Sequence, residues 1–296
     1  AALRLHAGGA LRARERGRVP GAGEGHGGQR IDSMKDLLAQ PWDAVFVGCG
    51  APRGRDLDLP GRRCGRERIG AGTTELLAAA GLDEAERTGT SRTSLCAEWP
   101  GLTLPIAYEA QDIALAARIA RGEIVTGIKL GLTSRAKQKQ MNVDAPSVAW
   151  LTDAMALPAG DAVPRTQLIH PRAEPEIAFV MGRTLTGPGV TAAQALAAVD
   201  YVCSAIEIID SRYSGFKFTL EDAVADNNSS GVYVTGPIIR RPDELDLALE
   251  ACLLEIDGQI VDTATGAAVQ GHPAEALAFA ANTLAERGHC IEAGWI

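Results

Sequence analysis

The chain has 296 residues with 29 Lys+Arg against 37 Asp+Glu, a net charge of −8, and 46 % of its residues are hydrophobic and 22 % charged. This is the balance of a globular protein with ample material for a core, and the acidic total argues against a broadly basic nucleic-acid-binding surface. No apolar run approaches the roughly 20 residues that a membrane-spanning helix needs. The charge is unevenly spread. Residues 1–70 hold 13 basic and 8 acidic residues, a net +5, and 14 of the 33 glycines, leaving the remainder at −13. The chain therefore reads as an atypical Gly/Arg-rich segment over 1–72 and a main domain over 73–296.

The sequence opens on Ala1, which suggests a processed or trimmed start. Scattered arginines interrupt its apolar residues, so it lacks the h-region of a secretory signal. An Arg-rich, acid-poor start also suits an organelle transit peptide, but the GAGEGHGG that follows cannot form an amphipathic helix. Residues 1–30 are expected to be disordered. DAVFV at 43–47 predicts a short strand running into Gly48, Gly50 and Gly54. A phosphate-binding glycine loop needs a following helix N-terminus, and RDLDLPGRR does not predict one. Residues 43–62 resemble a short piece of the flavin- and NADPH-binding oxidoreductases related to the glutamate synthase small subunit. The nucleotide-binding domains are missing, so that resemblance implies no activity.

Helical spacing of apolar residues begins at 73–88 and recurs at 109–123, ending at Gly122. It appears again at 191–202, where Thr191 and Gln194 form a capping-box pair. A last helix is predicted over 272–288, with Pro273 in its first turn and Gly288 after its last. Strand-like runs lie between these helices at 124–132, 176–182, 203–210, 231–236 and 253–261, the last holding an Asp257-Gly258 hairpin signal. Without regular βαβ alternation, this order predicts an α+β fold with a mixed, mainly antiparallel, barrel-like sheet core and flanking helices. The six cysteines form no CxxC pair, and the five histidines form no HxxxH or HExxH. Zinc spacing is thus absent, and reduced thiols in a cytoplasmic protein are expected.

The most informative stretch is HPRAEPEIAFV. In a strand, Glu174 and Glu176 project from one face, and Pro175 between them marks an edge or bulge. Glu207 interrupts the apolar run CSAIEIID. A buried carboxylate is costly unless paired or bound to a metal, and three converging carboxylates call for a cation such as Mg²⁺ or Mn²⁺. The alternative is two solvent-facing glutamates with Glu207 paired to Arg172 or Arg212. Lys129, in the run GIKLGLTSR, is either a buried proton-transfer or carboxylate-binding group or an outward lysine on an edge strand. Asp153 in WLTDAM suits a cap or turn. The polar turn from Asp226 to Gly231 either presents hydroxyls and N–H groups to an anion or simply turns the chain.

These segments, in order GIKLGLTSRAKQKQMNVDAP, WLTDAM, IHPRAEPEIAFVMG, AIEIIDSRYSGFKF, VADNNSSGVYVTG and GHPAEALAFAANTLAERG, resemble the hydratase/decarboxylase branch of the fumarylacetoacetate hydrolase superfamily across roughly residues 85–296. The resemblance implies Glu174, Glu176 and Glu207 as Mg²⁺/Mn²⁺ ligands. It also makes Lys129 and Asp153 catalytic candidates and Ser229 a substrate-binding candidate. It implies a lyase acting on a small 2-oxo or 2-hydroxy dienoic acid of aromatic meta-cleavage catabolism. The decarboxylase of 2-oxo-3-hexenedioate is expected first and the hydratase of 2-hydroxypenta-2,4-dienoate second. The SRYSGFKF motif points to the decarboxylase, with Arg212 or Lys217 reading the distal carboxylate or, alternatively, pairing with Asp210 or Glu221. Homo-oligomers, with a partner hydratase as a further associate, are expected; nucleic acid and membrane are not. The ending Gly294-Trp295-Ile296 and the unfamiliar first 72 residues read as a domain lacking its last strands behind a foreign lead. An inactive fragment is the reading of a different class.

Overall fold

The computed structural model describes residues 2–8, 45–47 and 73–296 except 142. The glycine loop at 48–54, most of the Gly/Arg-rich lead and most of the oxidoreductase-like stretch lie outside the described residues.

Two short strands open the described fold, β1 (Ala2–Gly8) and β2 (Val45–Val47). They are followed by helices α1 (Thr73–Thr88), α2 (Leu95–Glu98) and α3 (Leu104–Ala120). An antiparallel pair comes next, β3 (Val125–Gly131) and β4 (Ser147–Thr152), with α4 (Arg135–Met141) between them. The short β5 (Ala162–Val163) leads to β6 (Arg172–Met181). α5 (Ala192–Ala197) precedes β7 (Val199–Ile209), and α6 (Leu220–Ala225) precedes β8 (Ser230–Arg240). The chain closes with β9 (Ala251–Ile256), β10 (Gln259–Thr265) and α7 (Pro273–Glu286).

The strands form three sheets, ordered β10-β9-β1-β2-β5, β3-β4 and β6-β7-β8. All the named pairs are antiparallel except β1–β2. This is the α+β, mainly antiparallel architecture expected. Two expectations need correction. Residues 2–8 fall in the segment expected to be disordered, yet β1 pairs with β9 from Leu3↔Ile256 to Gly8↔Ala251. The helix expected over 191–202 ends at Ala197, and Val199 already belongs to β7. The run VDYV is β-branched and aromatic, which favours the strand, whereas the Thr191–Gln194 capping box forms as anticipated.

Hairpin and helix-end signals are realised directly. Asp257 and Gly258 turn β9 into β10 with φ of 51° and 79°, the left-handed pair that such a two-residue hairpin needs. α7 begins at Pro273, and Gly288 beyond its end has φ 77°.

Packing is organised in three clusters. α1, α3 and α6 meet through Ala78, Leu82, Ala107, Ala110 and Val224 around the fully buried Tyr213. Alanines at these contacts let the helices approach closely. α7 lays Ala280, Ala281 and Leu284 against Val148, Trp150 and Met181 of the sheets. A third cluster joins β7 and β8 to β9 through Ile206, Ile208, Val234 and Leu254. Beyond α7 the chain runs as a strap. Ile291 exchanges backbone hydrogen bonds with Leu185, Gly294 N–H donates to Met181, and Ile296 bonds to Thr126 and Ile128 of β3. The strap thus bridges β6 and β3.

Candidate metal centre

Register places the acidic residues. β6 and β7 pair Glu174 opposite Glu207, and β7 and β8 pair Glu207 opposite Tyr233. The next rung on this face is Glu176, Ala205 and Thr235. Because side chains alternate along a strand, all of these project from one side of the sheet. Pro175 lies on β6, an edge of this sheet, as its missing N–H requires.

Ligand oxygens of Glu174, Glu176 and Glu207 lie within 4.8 Å of one another. The Glu207 side chain is 8 % exposed and that of Glu174 37 %, so the cluster runs from the interior to the surface. Burial, with Glu207 and Glu174 beside it, pushes the Glu176 carboxyl up to about 8. Burial likewise raises Glu207, against the opposing pull of Lys129. Two buried carboxylates that disfavour their own charge, with a third beside them, are what a divalent cation would relieve. Their all-oxygen donor set suits Mg²⁺ or Mn²⁺ rather than zinc.

Lys129, on β3, points inward rather than out from an edge. Its Nζ stands 2.6 Å from Glu207 Oε1 and donates to Asn228 O at 3.0 Å. The contact with Oε1 is a close, buried ion pair that favours the Glu207 carboxylate. Lys137 of α4 stands 3.8 Å from Glu174 at the exposed side. A cavity of about 140 Å³ opens beside Lys129, Glu176 and Glu207, walled by Leu151, Ile177, Phe179 and Leu277 and closed partly by Ile296. Tyr233, Thr235 and Thr133 give it further polar atoms, and the Tyr233 and Thr126 hydroxyls are 3.2 Å apart. The sequence reading did not single out Tyr233 or Thr235, whose places follow only from the register of β8 against β7.

The other expected site residues are placed elsewhere. Asp153 is exposed at the end of β4, where its Oδ1 accepts from the N–H groups of Ile124 and Ala154. It ties the end of β4 to the residue before β3 and does not line the cavity. Ser229 is buried behind the site and donates to Asp226 at 3.2 Å. Arg212 is 3 % exposed, with its guanidinium engaged by the Asp226 carboxylate and the carbonyls of Asp210, Asp226 and Ser230. A buried guanidinium with four of its five N–H donors taken inside the protein is not available to a substrate carboxylate. That expectation for Arg212 is corrected. Lys217 is exposed and outside the cavity wall.

Residues 123–294 match the model of the fumarylacetoacetate (FAA) hydrolase C-terminal family. The chain is 45 % identical over 197 residues to a 4-oxalocrotonate decarboxylase of Pseudomonas sp. (strain CF600), covering 67 % of this chain and 75 % of that protein. It is 43 % identical over 215 residues to a 2-hydroxyhexa-2,4-dienoate hydratase of Comamonas testosteroni, covering 72 % and 81 %. Among solved structures, 4-oxalocrotonate decarboxylase from Pseudomonas putida G7, complexed with magnesium and adipate, aligns with a TM-score of 0.74 at 38 % identity, covering 77 % of this chain and 87 % of that one. The chain belongs to the fumarylacetoacetate hydrolase family, in its hydratase/decarboxylase branch.

Proposed function

We propose that the protein is a Mg²⁺- or Mn²⁺-dependent lyase of aromatic meta-cleavage catabolism that decarboxylates 4-oxalocrotonate (2-oxo-3-hexenedioate). The observation that carries this reading is the Glu174–Glu176–Glu207 cluster with Lys129 at its edge, beside a largely apolar cavity. The three glutamates would hold the cation, which supplies Lewis acidity toward a 2-oxo acid.

The chain's own residues do the rest. In 2-oxo-3-hexenedioate the distal carboxylate is vinylogous to the ketone, so breaking its C–C bond releases CO₂ and sends the electron pair into the conjugated 2-oxo system. A proton must then reach the resulting dienolate, on oxygen or on carbon. Lys129 Nζ, held at the cavity wall by Glu207 and Asn228 O, is the group placed to hold and deliver it. Leu151, Ile177 and Leu277 keep water from that step. With Arg212 sequestered, Lys217, the other cation of the SRYSGFKF motif, would have to reach the distal carboxylate from outside the cavity wall. Lys217→Ala should lower kcat/KM for the diacid about tenfold while sparing the monoacid; equal loss on both removes Lys217 from that role.

The hydratase of 2-hydroxypenta-2,4-dienoate is the second reading. It is favoured by the cavity wall, where Lys129 is the one cationic side chain among the described residues, and by hydratase relatives as similar as the decarboxylases. Turnover of both substrates with Mg²⁺ and with EDTA tests the assignment. Chelator-sensitive CO₂ release supports the decarboxylase, chelator-sensitive hydration alone supports the hydratase, and no turnover of either overturns both. We further infer a cytoplasmic homo-oligomer that associates with a partner hydratase. Exposed Ile238, Ile239 and Ile260 are surface that such contacts would cover, and light scattering with and without the hydratase tests this. No described helix is long and apolar enough to cross a membrane.

A further inference from the structure

Three consecutive non-glycine residues between α6 and β8 share a left-handed backbone: Asn227, Asn228 and Ser229, with φ of 49°, 50° and 58°. L-residues adopt this conformation singly and at a cost, and a run of three persists only where surrounding structure dictates it. The turn is held on both sides. Behind it, Asp226 is locked by Arg212 and accepts from Ser229 Oγ. In front, the Asn227 carboxamide substitutes for a missing strand, its Oδ1 accepting from Trp150 N–H at 2.8 Å and its Nδ2 donating to Trp150 O at 2.9 Å. Asn228 Oδ1 accepts from Ser147 Oγ at 2.9 Å, a second tie to β4.

What the turn presents to the site is a main-chain carbonyl. Asn228 O accepts from Lys129 Nζ, and Lys129 lies opposite Ala149 in β4, next to the residue that Asn227 grips. A lysine ammonium on its flexible four-carbon stem would otherwise settle wholly on Glu207. Two anchors on different elements define one position between them.

We propose that Asn227 is a positioning residue. By clamping the left-handed turn to Trp150 of β4, it aims the Asn228 carbonyl at Lys129 and so sets where that ammonium stands beside the carboxylate cluster. The inference rests on the role given to Lys129 above. It concerns a side chain that touches neither the cavity nor the carboxylates.

The informative variant is Asn227→Gly, which removes the carboxamide while leaving a residue at ease with positive φ. In the Mg²⁺-loaded enzyme kcat should fall at least tenfold with KM changed less than twofold. A crystal structure of the variant should show Lys129 Nζ out of hydrogen-bond reach of Asn228 O. Leu82→Ala, in the α1 cluster, is the control for lost stability and should leave kcat unchanged. Asn227→Asp, which keeps the acceptor for Trp150 N–H and drops the donor, should lose several-fold and serves if the glycine variant does not fold. Wild-type kcat in either Asn227 variant, or an unmoved Lys129 in the crystal, overturns the proposal. Absence of turnover in the wild-type enzyme overturns the functional reading instead, and the crystal structure of the variant still decides the positioning.

Discussion

Glu176 couples the site to pH. Its carboxyl is raised from 4.5 to about 8, so the metal-free folded protein holds a proton that the unfolded chain releases near 4.5. The folded state then binds more protons than the unfolded one between these values, and metal-free stability should fall as pH rises through that window. A cation must displace the same proton. Mg²⁺ affinity should therefore climb with pH, by at least tenfold per unit below about 8, which calorimetric titration at several pH values would show. Replacing Glu207 by Gln should abolish that binding while leaving Lys129 without its ion-pair partner. At the opposite face of the turn, Arg212→Met leaves Asp226 buried and unpaired. Breaking such a pair costs on the order of 3–5 kcal/mol, a loss that urea denaturation would register and that a surface ion pair would not produce. The sequence showed that Arg212 was charged but not that it was buried, which is why it resembled a substrate reader. The three glutamates were legible because a two-residue spacing in a strand determines a shared face, and Glu207 because it broke an apolar run. Tyr233 and Thr235 required the strand register, which no local pattern displays.

At the scale of elements, the parts with local signals were readable and those set by tertiary pairing were not. α7, bracketed by Pro273 and Gly288, and the β9–β10 turn follow from residues adjacent in sequence. The switch from α5 into β7 and the pairing of β1 depend on distant strands, so periodicity misjudged both. The left-handed turn at 227–229 looked like any polar loop, because its conformation is imposed by Arg212 and β4 rather than by glycine. Elements also differ in what they tolerate. A Cβ at Gly127 on β3 would lie 2.0 Å from the main-chain oxygen of Ile296, which accepts from Ile128 N–H. Gly127→Ala should therefore displace the strap, destabilising the protein by about 1–3 kcal/mol as overpacking does. It should also raise KM, since Ile296 forms part of the cavity wall. Thermal melting and steady-state kinetics on one preparation would show the two effects together.

Across the molecule, the site is assembled from widely separated segments: β3, the β6–β7–β8 sheet, α7 and the final strap. Its ligands sit on a packed antiparallel sheet, and its lysine comes from a separate two-stranded sheet tied to it by the 227–229 turn. Cation binding to the folded state alone should stabilise the whole, by about 2.7 kcal/mol at a hundredfold excess over Kd. The increment should vanish when Glu174 and Glu176 are both changed to Gln, whereas an unchanged increment would place the ion elsewhere.

Trp150 stands where these segments meet. Its backbone is gripped by Asn227, its indole N–H donates to Asp112 at 3.0 Å, and its ring meets His289 and Trp295 edge-on at 5.1 and 6.3 Å. Its ring contacts thus span α3, the segment after α7 and the strap, while its strand neighbour in register, Ile128, adjoins Lys129. An indole so placed is a built-in optical gauge. Its emission should respond when the turn, the strap or the α3 contact moves, giving a label-free signal for following how the site assembles.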